Sequence, residues 1–381
     1  MHILANKNVL LENLNTVQKS IPLKSSMSAI KGILITAKDE ELTMIGNNLE
    51  MSIAAISNDI QVFEEGEVVL PVEFIEILKQ APDENIEIKL SENDFRTEII
   101  SGQANFILYG MDPEDFPLVG FEKSPDQERI DYSAQDLKAM LKKITFAVSQ
   151  DEGKPSFKGV LFEIDEDNNI FIIASDTYRL AHLKTTLKNK SLQPLRMLIP
   201  GKALNEIMKI IDDSHESVEC TYTDSDIIFY YKQFIIYSRL LENRFPNLSS
   251  IFPSAYATKI KINAHLLEKA VARASLLAGG YNHMISLQIT EDALEIYSGS
   301  EVGRMNEKLP ISNKEGDDLP EIMLNARYFL DPLRVIDDEY VEIDFNGAYG
   351  PCIFNYQETI ENGIINYRYL VLPIKINKKE M

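Results

Sequence analysis

The 381-residue chain has no tryptophan, two cysteines and five histidines, and each scarcity closes off a class of chemistry. Cys220 and Cys352 are too few and too far apart for a disulfide scaffold. They fit the reducing conditions of a cytoplasm, with one buried disulfide as the lesser reading. Neither lies in a C-x-x-C pair, and His2, His182, His215, His265 and His283 show no H-E-x-x-H or other ligand spacing. No metal is therefore expected. No apolar run approaches the ~20 residues of a membrane helix, and residues 1–6 lack a signal-peptide layout, so no membrane partner is expected. Ser175, Asp176 and His182 could be imagined as hydrolase parts, but no G-x-S-x-G elbow accompanies them. Pro200-Gly201-Lys202-Ala203 lacks the upstream Gly and the following Ser or Thr of a phosphate loop. The expectation is a protein that is not an enzyme and takes no cofactor.

Positive charge is also short. Lys and Arg number 38 against 59 Asp and Glu, a net −21. Taken alone, that argues against nucleic acid, whose partners usually carry a basic surplus.

What the chain does have is a threefold repeat. Leu10/Leu14/Val17, Leu137/Leu141/Ile144 and Leu267/Val271/Ala274 are i, i+4, i+7 apolar stripes beginning 127 and then 130 residues apart. A second helical stretch follows each, opening at Leu70-Pro71, Ile199-Pro200 and Leu324-Asn325. Each of these stops at an acidic turn and gives way to strict alternation: Ile86/Ile88/Leu90, Val218/Cys220/Tyr222 and Val341/Ile343/Phe345. Short β-rich stretches lie between, at 32–37, 42–45, 51–55, 159–164, 170–174, 227–231, 285–289 and 294–298. The fold class is α+β, with three domains at 1–125, 129–253 and 256–381, each about 125 residues and large enough for its own core.

Charge is not spread evenly over this pattern. The six helical windows carry a net +5 in a chain of −21, so the strands and loops hold the acid. Helices favour Lys and Arg on propensity alone. The functional alternative is that all six present one face to a polyanion while an acidic exterior repels stray nucleic acid.

Several stretches, in order along the repeat, carry a family resemblance. Ser175-Asp176-Thr177-Tyr178-Arg179-Leu180-Ala181 is similar to a T-D-(G/S)-H-R-L-A segment, and Arg244-Phe245-Pro246-Asn247 to G-R-(F/Y)-P-D. Tyr369-Leu370-Val371-Leu372-Pro373-Ile374 is similar to Y-(V/L)-(V/I)-M-P-(M/V). With lesser matches at Ser300-Glu301-Val302-Gly303 and Asp115-Phe116-Pro117, the chain resembles the bacterial sliding clamp, the beta subunit of the replicative DNA polymerase, over essentially its whole length.

The resemblance implies three clamp domains per subunit, each with two helices packed on antiparallel sheets. Two subunits would close head to tail into a ring around duplex DNA. Twelve inner helices spaced ~10 Å apart give a circle of roughly 38 Å between axes and a hole of about 28 Å, wide enough for a ~20 Å duplex and a layer of water. Contact with phosphates across water would be sequence-blind and allow sliding. The implied partners are double-stranded DNA, a second copy of the chain, the replicative polymerase, a clamp loader and other proteins bearing a clamp-binding motif.

Carried over residue by residue, the partner-peptide cleft would use Phe157, Gly159, Ser175, Thr177, Tyr178, Arg179 and Leu180. Pro246, Ile251, Tyr328, Leu370, Leu372 and Pro373 would complete it. From composition alone, Leu180, Leu370 and Leu372 read more readily as strand core, and only the resemblance reverses that. For the dimer interface, Phe106 and Leu108 should meet Leu276 and Leu277 of the other copy. Facing DNA, the resemblance implies Lys24, Lys202 and Lys209, and the charge count adds Lys142, Lys143 and Arg273. The sequence departs from the family pattern in several places, Ser28-Ala29 among them, where the family often has Pro. Thr177 and Tyr178 stand where the family has Gly or Ser and then His, and Leu372 stands where Met is usual. Such departures are compatible with a divergent member, or with a protein that keeps the fold as a peptide platform without encircling DNA.

Overall fold

The structure, a computed structural model, describes residues 1–91, 94–121, 128–186, 193–248, 250–279, 283–361 and 363–375. The expected linker at 122–129 and the tail beyond 375 lie largely outside these residues.

All six expected helices form: α1 (Lys7–Val17), α2 (Glu73–Gln80), α3 (Ala134–Ile144), α4 (Gly201–Ile210), α5 (Ala264–Leu277) and α6 (Ala326–Leu333). The stripes that predicted them are what they bury. Leu10, Leu14 and Val17 of α1, Leu137, Leu141 and Ile144 of α3, and Leu267, Val271 and Ala274 of α5 are all at most 1% exposed. Asparagine caps recur. Asn6, Asn263 and Asn325 each accept a hydrogen bond from a first-turn amide of α1, α5 and α6 at 2.8–2.9 Å, satisfying a donor the helix cannot.

The chain forms two compact units, residues 1–135 with 206–240 and residues 136–205 with 241–381. The division runs through the middle repeat because the sheets run through it. In the first unit, strands Arg129–Ser133, Ser217–Tyr222, Asp226–Tyr231 and Phe234–Arg239 continue into Met51–Ser57, Glu41–Asn47, Gly32–Lys38 and Gly66–Pro71 as one eight-stranded antiparallel sheet. A five-stranded sheet completes that unit and ends on Ala104–Tyr109, paired on one side to Arg96–Ser101.

In the second unit, Leu195–Pro200, Gly159–Ile164, Asn169–Ser175 and Arg179–Thr186 run into Gly363–Val371, then Cys352–Ile360, Tyr340–Phe345, Thr258–Asn263 and Asn313–Gly316, nine strands in all. A four-stranded sheet completes it and ends on Gly303–Pro310, paired on one side to Ala293–Ser300. Each sheet that crosses a repeat boundary thus has a seam. Phe234–Arg239 lies on Met51–Ser57 in the first, and Arg179–Thr186 lies on Gly363–Val371 in the second. Cys220 and Cys352 are buried and free, which removes the disulfide reading.

Candidate functional site

The second seam begins at a hairpin between Asn169–Ser175 and Arg179–Thr186 whose turn is fixed by its own side chains. The Ser175 hydroxyl donates to the Arg179 carbonyl at 2.7 Å and accepts from the Thr177 amide at 3.1 Å. One carboxylate oxygen of Asp176 accepts the amides of Tyr178 and Arg179 at 2.9 and 3.0 Å. Thr177 sits at φ 82°, a left-handed conformation costly for a β-branched residue, and its hydroxyl accepts from Lys154 Nζ at 2.7 Å. Past the turn, the Leu372 amide donates to the Tyr178 carbonyl at 2.9 Å, so the end of the last strand is tied to the hairpin tip.

Arg179 is the centre of this arrangement. Its Nε donates to Asp176 at 2.9 Å, one terminal nitrogen to the Phe146 carbonyl at 2.6 Å, and the other to Asp331 of α6. The guanidinium lies 4.3 Å from the centre of the Tyr328 ring. Burial opposes its charge, but the Tyr369 phenol and the carboxylates of Asp176 and Asp331 outweigh that and hold its pKa above the ordinary arginine value. Tyr328 in turn stacks on Tyr178 at 6.5 Å and 24°, and its carbonyl accepts from the Tyr369 hydroxyl at 2.8 Å. One partly buried ion network thus joins the middle repeat to the last and packs against two tyrosine rings.

Beside those rings opens a cavity of about 640 Å³. Its lining includes Gln150, Lys154, Tyr178, Arg327, Tyr328 and Arg334, over a floor that carries Asp176, Arg179 and Asp331. A smaller cavity of about 300 Å³ lies between residues 246–248 with Phe252 and the strands of the same sheet that carry Leu161, Ile173 and His182. His182 forms part of its wall, between the rings of Phe171 and Phe252 at 5.9 and 5.6 Å. Burial, then the charges of Arg368 and Lys184, push the His182 imidazole down to about 4, so it is neutral near pH 7.

The expected cleft residues are brought together within one unit but divide into surface and support. Tyr178, Pro246, Ile251 and Leu372 are exposed, and Phe157, Tyr328 and Pro373 are partly so. Leu180 and Leu370 are buried at 1% and 2%, in a cluster with Ile353. Their side chains lie in the core and offer no surface, which corrects the expectation from the motif: they face each other in register across the seam. Ser175 is also buried, acting through its hydrogen bonds. Gly159 offers no surface; a Cβ there would come within 2.8 Å of Leu198 and Leu241, so the close approach of those chains requires glycine. Lys154, Asp176 and Asp331 were missed by the sequence reading of the cleft. A D-x-x-R spacing in a turn was the available signal for Asp176, and nothing in the sequence pointed to Asp331.

Of the six cations expected to face DNA, Lys24, Lys142, Lys202, Lys209 and Arg273 are exposed. Lys209 is paired to Glu206 at 2.7 Å, and Arg273 makes a two-pronged bond to Glu307. Lys143 is a correction. It is 3% exposed, its ammonium is 2.6 Å from Glu358, and it lies 5.6 Å from the Tyr356 ring. It points into the protein because it shares a face of α3 with Met140 and Asp136, which are buried too. For the interface, Phe106 and Leu108 are half-buried on a strand with one free edge. Leu276 is 80% exposed at the end of α5, and Leu277 packs 3.7 Å from where a Cβ of Gly303 would stand.

The N-terminal, central and C-terminal domains described for the DNA polymerase III beta subunit match residues 1–120, 132–247 and 249–373. A beta sliding clamp of Staphylococcus epidermidis is 34% identical over 98% of this chain and 99% of that protein. One of Staphylococcus aureus is 32% identical over the same shares. The crystal structure of the Bacillus subtilis DNA polymerase sliding clamp superposes with a TM-score of 0.91 at 29% identity, covering 99% of this chain and all of that one.

Proposed function

This chain belongs to the DNA polymerase III beta subunit family, the bacterial sliding clamps, and from that premise we propose how its own residues perform a clamp's work. It is a processivity factor and not an enzyme. Two copies form a ring around duplex DNA and tether the polymerase and other proteins to it. The domain bounds we assign are 1–125, 129–253 and 256–381.

The hairpin at 175–180 forms the wall of the partner cleft. Exposed Tyr178, Ile251 and Leu372 provide an apolar bed, and the Arg179 network keeps that bed from collapsing. The observation that carries this assignment is the bond from the Leu372 amide to the Tyr178 carbonyl, which ties the last strand to the hairpin that the resemblance singled out. The edges of Ala104–Tyr109 and Gly303–Pro310, each with one row of backbone groups unpaired among the described residues, suit strand-to-strand pairing between copies. Leu276 and Leu277 then pack beside the joint with Phe106 and Leu108. Truncating both leucines to alanine should weaken dimerisation by about 2–3 kcal/mol, read by sedimentation equilibrium. An unchanged profile would remove them from the interface.

Lys24, Lys142, Lys202, Lys209 and Arg273 form the DNA-facing set, each a weak, sequence-blind contact. The site of action is the cytoplasm, with free, buried Cys220 and Cys352 in keeping. Encirclement is tested by loading the protein onto nicked circular or linear DNA with a clamp loader and washing at high salt. Retention on circles with loss from linear ends is expected, because salt screens phosphate contacts but cannot open a topological link. Equal loss from both would reduce the protein to a peptide platform.

A further inference from the structure

The 640 Å³ cavity beside Tyr178 carries two guanidinium groups that the fold itself leaves unused. Arg327 and Arg334 both line it and both are exposed. Among the described residues, neither side chain makes an ion pair or hydrogen bond. The other two cations of the cavity are committed: Arg179 to Asp176, Asp331 and Phe146, and Lys154 to the Asp176 carbonyl and the Thr177 hydroxyl.

The two free arginines are seven residues apart, Arg327 in α6 and Arg334 as its helical C-cap. Seven helical residues turn through nearly two full turns, so both side chains leave from one face, about 10 Å apart along the axis. Two unpaired cations beside an apolar bed, in a chain of net charge −21, call for an anionic occupant.

We propose that Arg327 and Arg334 set the specificity of the cleft by binding two carboxylate side chains, about 10 Å apart, of an extended acidic peptide whose apolar part lies on Tyr178, Ile251 and Leu372. The inference rests on the cleft assignment above and goes further by naming the charge pattern of the partner. An extended chain in the polyproline II conformation rises ~3.1 Å per residue with three residues per turn, so acidic residues three positions apart share one face and span the arginines.

A protein segment fits better than nucleic acid for two reasons. Asp151, an exposed carboxylate among the lining residues, would repel a continuous row of phosphates. The site is also a concavity walled by the stacked Tyr178 and Tyr328 rings, suited to side chains and too narrow for a duplex.

The test uses the full-length protein and four synthetic peptides. In two of them Glu-Ala-Ala-Glu precedes or follows Leu-Leu; in the other two both Glu are Gln. Binding is followed by fluorescence anisotropy at low and high salt, with the wild type, with Arg327→Gln/Arg334→Gln and with Leu372→Glu. The expected result is at least tenfold tighter binding of a Glu peptide than of its Gln counterpart, a gap that closes in the double arginine variant and narrows with salt. Equal binding of Glu and Gln peptides, lost in Leu372→Glu, would overturn the charge assignment and leave the cleft standing. No binding of any peptide would remove the cleft assignment and this one with it. A double variant that keeps the peptide preference but loses retention on DNA would give the arginines to DNA and overturn the proposal.

Discussion

The molecule builds the same hairpin twice and uses it differently. At the first seam, Asn47 accepts the Leu49 amide at 2.7 Å, and Asn48 accepts the amides of Glu50 and Met51 at 3.0 and 2.8 Å. Ser175 and Asp176 do the same for Thr177, Tyr178 and Arg179. Leu49 and Thr177 both sit at positive φ, 73° and 82°. The Glu50 carbonyl accepts from Arg239 at 2.9 Å, as that of Tyr178 does from Leu372.

The backbone frames agree, and the side chains decide the rest. Met51 is 7% exposed and needs no polar partner, so the first seam closes over apolar residues such as Ala54, Leu34 and Val69. Arg179, at the matching position, demands acceptors. Meeting that demand brings in Asp176, Asp331 and the Phe146 carbonyl, and with them a cavity walled by two tyrosines. Arginine in place of methionine, with Asp176 in place of Asn48 as its partner, separates a structural joint from a candidate site.

That contrast can be broken most forcefully at Arg179. Arg179→Met should cost about 3–5 kcal/mol, because Asp176 and Asp331 keep charges that have lost their partner. The loss should appear as faster amide exchange along Arg179–Thr186, with Phe234–Arg239 unchanged. Asp176→Asn/Arg179→Met, which copies the first hairpin, should recover more than half of it. No recovery would mean that charge is not what separates the two seams.

Acid sharpens the comparison next. The His182 pKa is pushed down to about 4, whereas the unfolded residue titrates near 6.5, so the unfolded chain binds the extra proton first as pH falls. The stability associated with its neutral form is complete above pH 6.5 and is lost progressively toward pH 4, by up to ~3 kcal/mol. The paired stretches of the first seam, 51–55 and 234–238, contain no Asp, Glu, His or Lys, so amide protection, corrected for the intrinsic exchange rate at each pH, should fall with acid along Arg179–Thr186 only. His182→Gln should flatten the response; a slope that persists would assign it to other groups.

The smallest effect is at the turns. Replacing Thr177 or Leu49 with Gly should stabilise each hairpin by about 1 kcal/mol, by relieving left-handed strain. Thr177→Gly should gain less than Leu49→Gly, because it forfeits the bond from Lys154. Thermal unfolding reads both, and a loss of stability at Leu49 would mean that its side chain is worth more than the strain.

Much of this was open to reading in the chain. The helices were legible because a buried stripe repeats every three to four residues, and Leu137, Leu141 and Ile144 obey that spacing without exception. Strands with alternating apolar residues were legible for the same reason. Ala104–Tyr109 and Gly303–Pro310 were not: Ile107 and Tyr109 break the alternation of the first, and Glu307 interrupts the apolar face of the second. Lys143 misled because a charge count assumes that lysine faces water, and nothing local announces Glu358, more than two hundred residues on. Asp331 was illegible for that reason too: its role exists only once α6 and the hairpin meet.

The seams also set a schedule. Ala55 pairs with Phe234 and Arg179 with Val371, partners separated by about 180 and 190 residues. During synthesis, each strand must therefore stand for a long stretch of elongation as a bare edge, its amides open to solvent and to other nascent chains. Contacts of such range make folding slow. The middle repeat has no schedule of its own, since half its strands finish a sheet begun before it and half begin a sheet completed only near the C-terminal end.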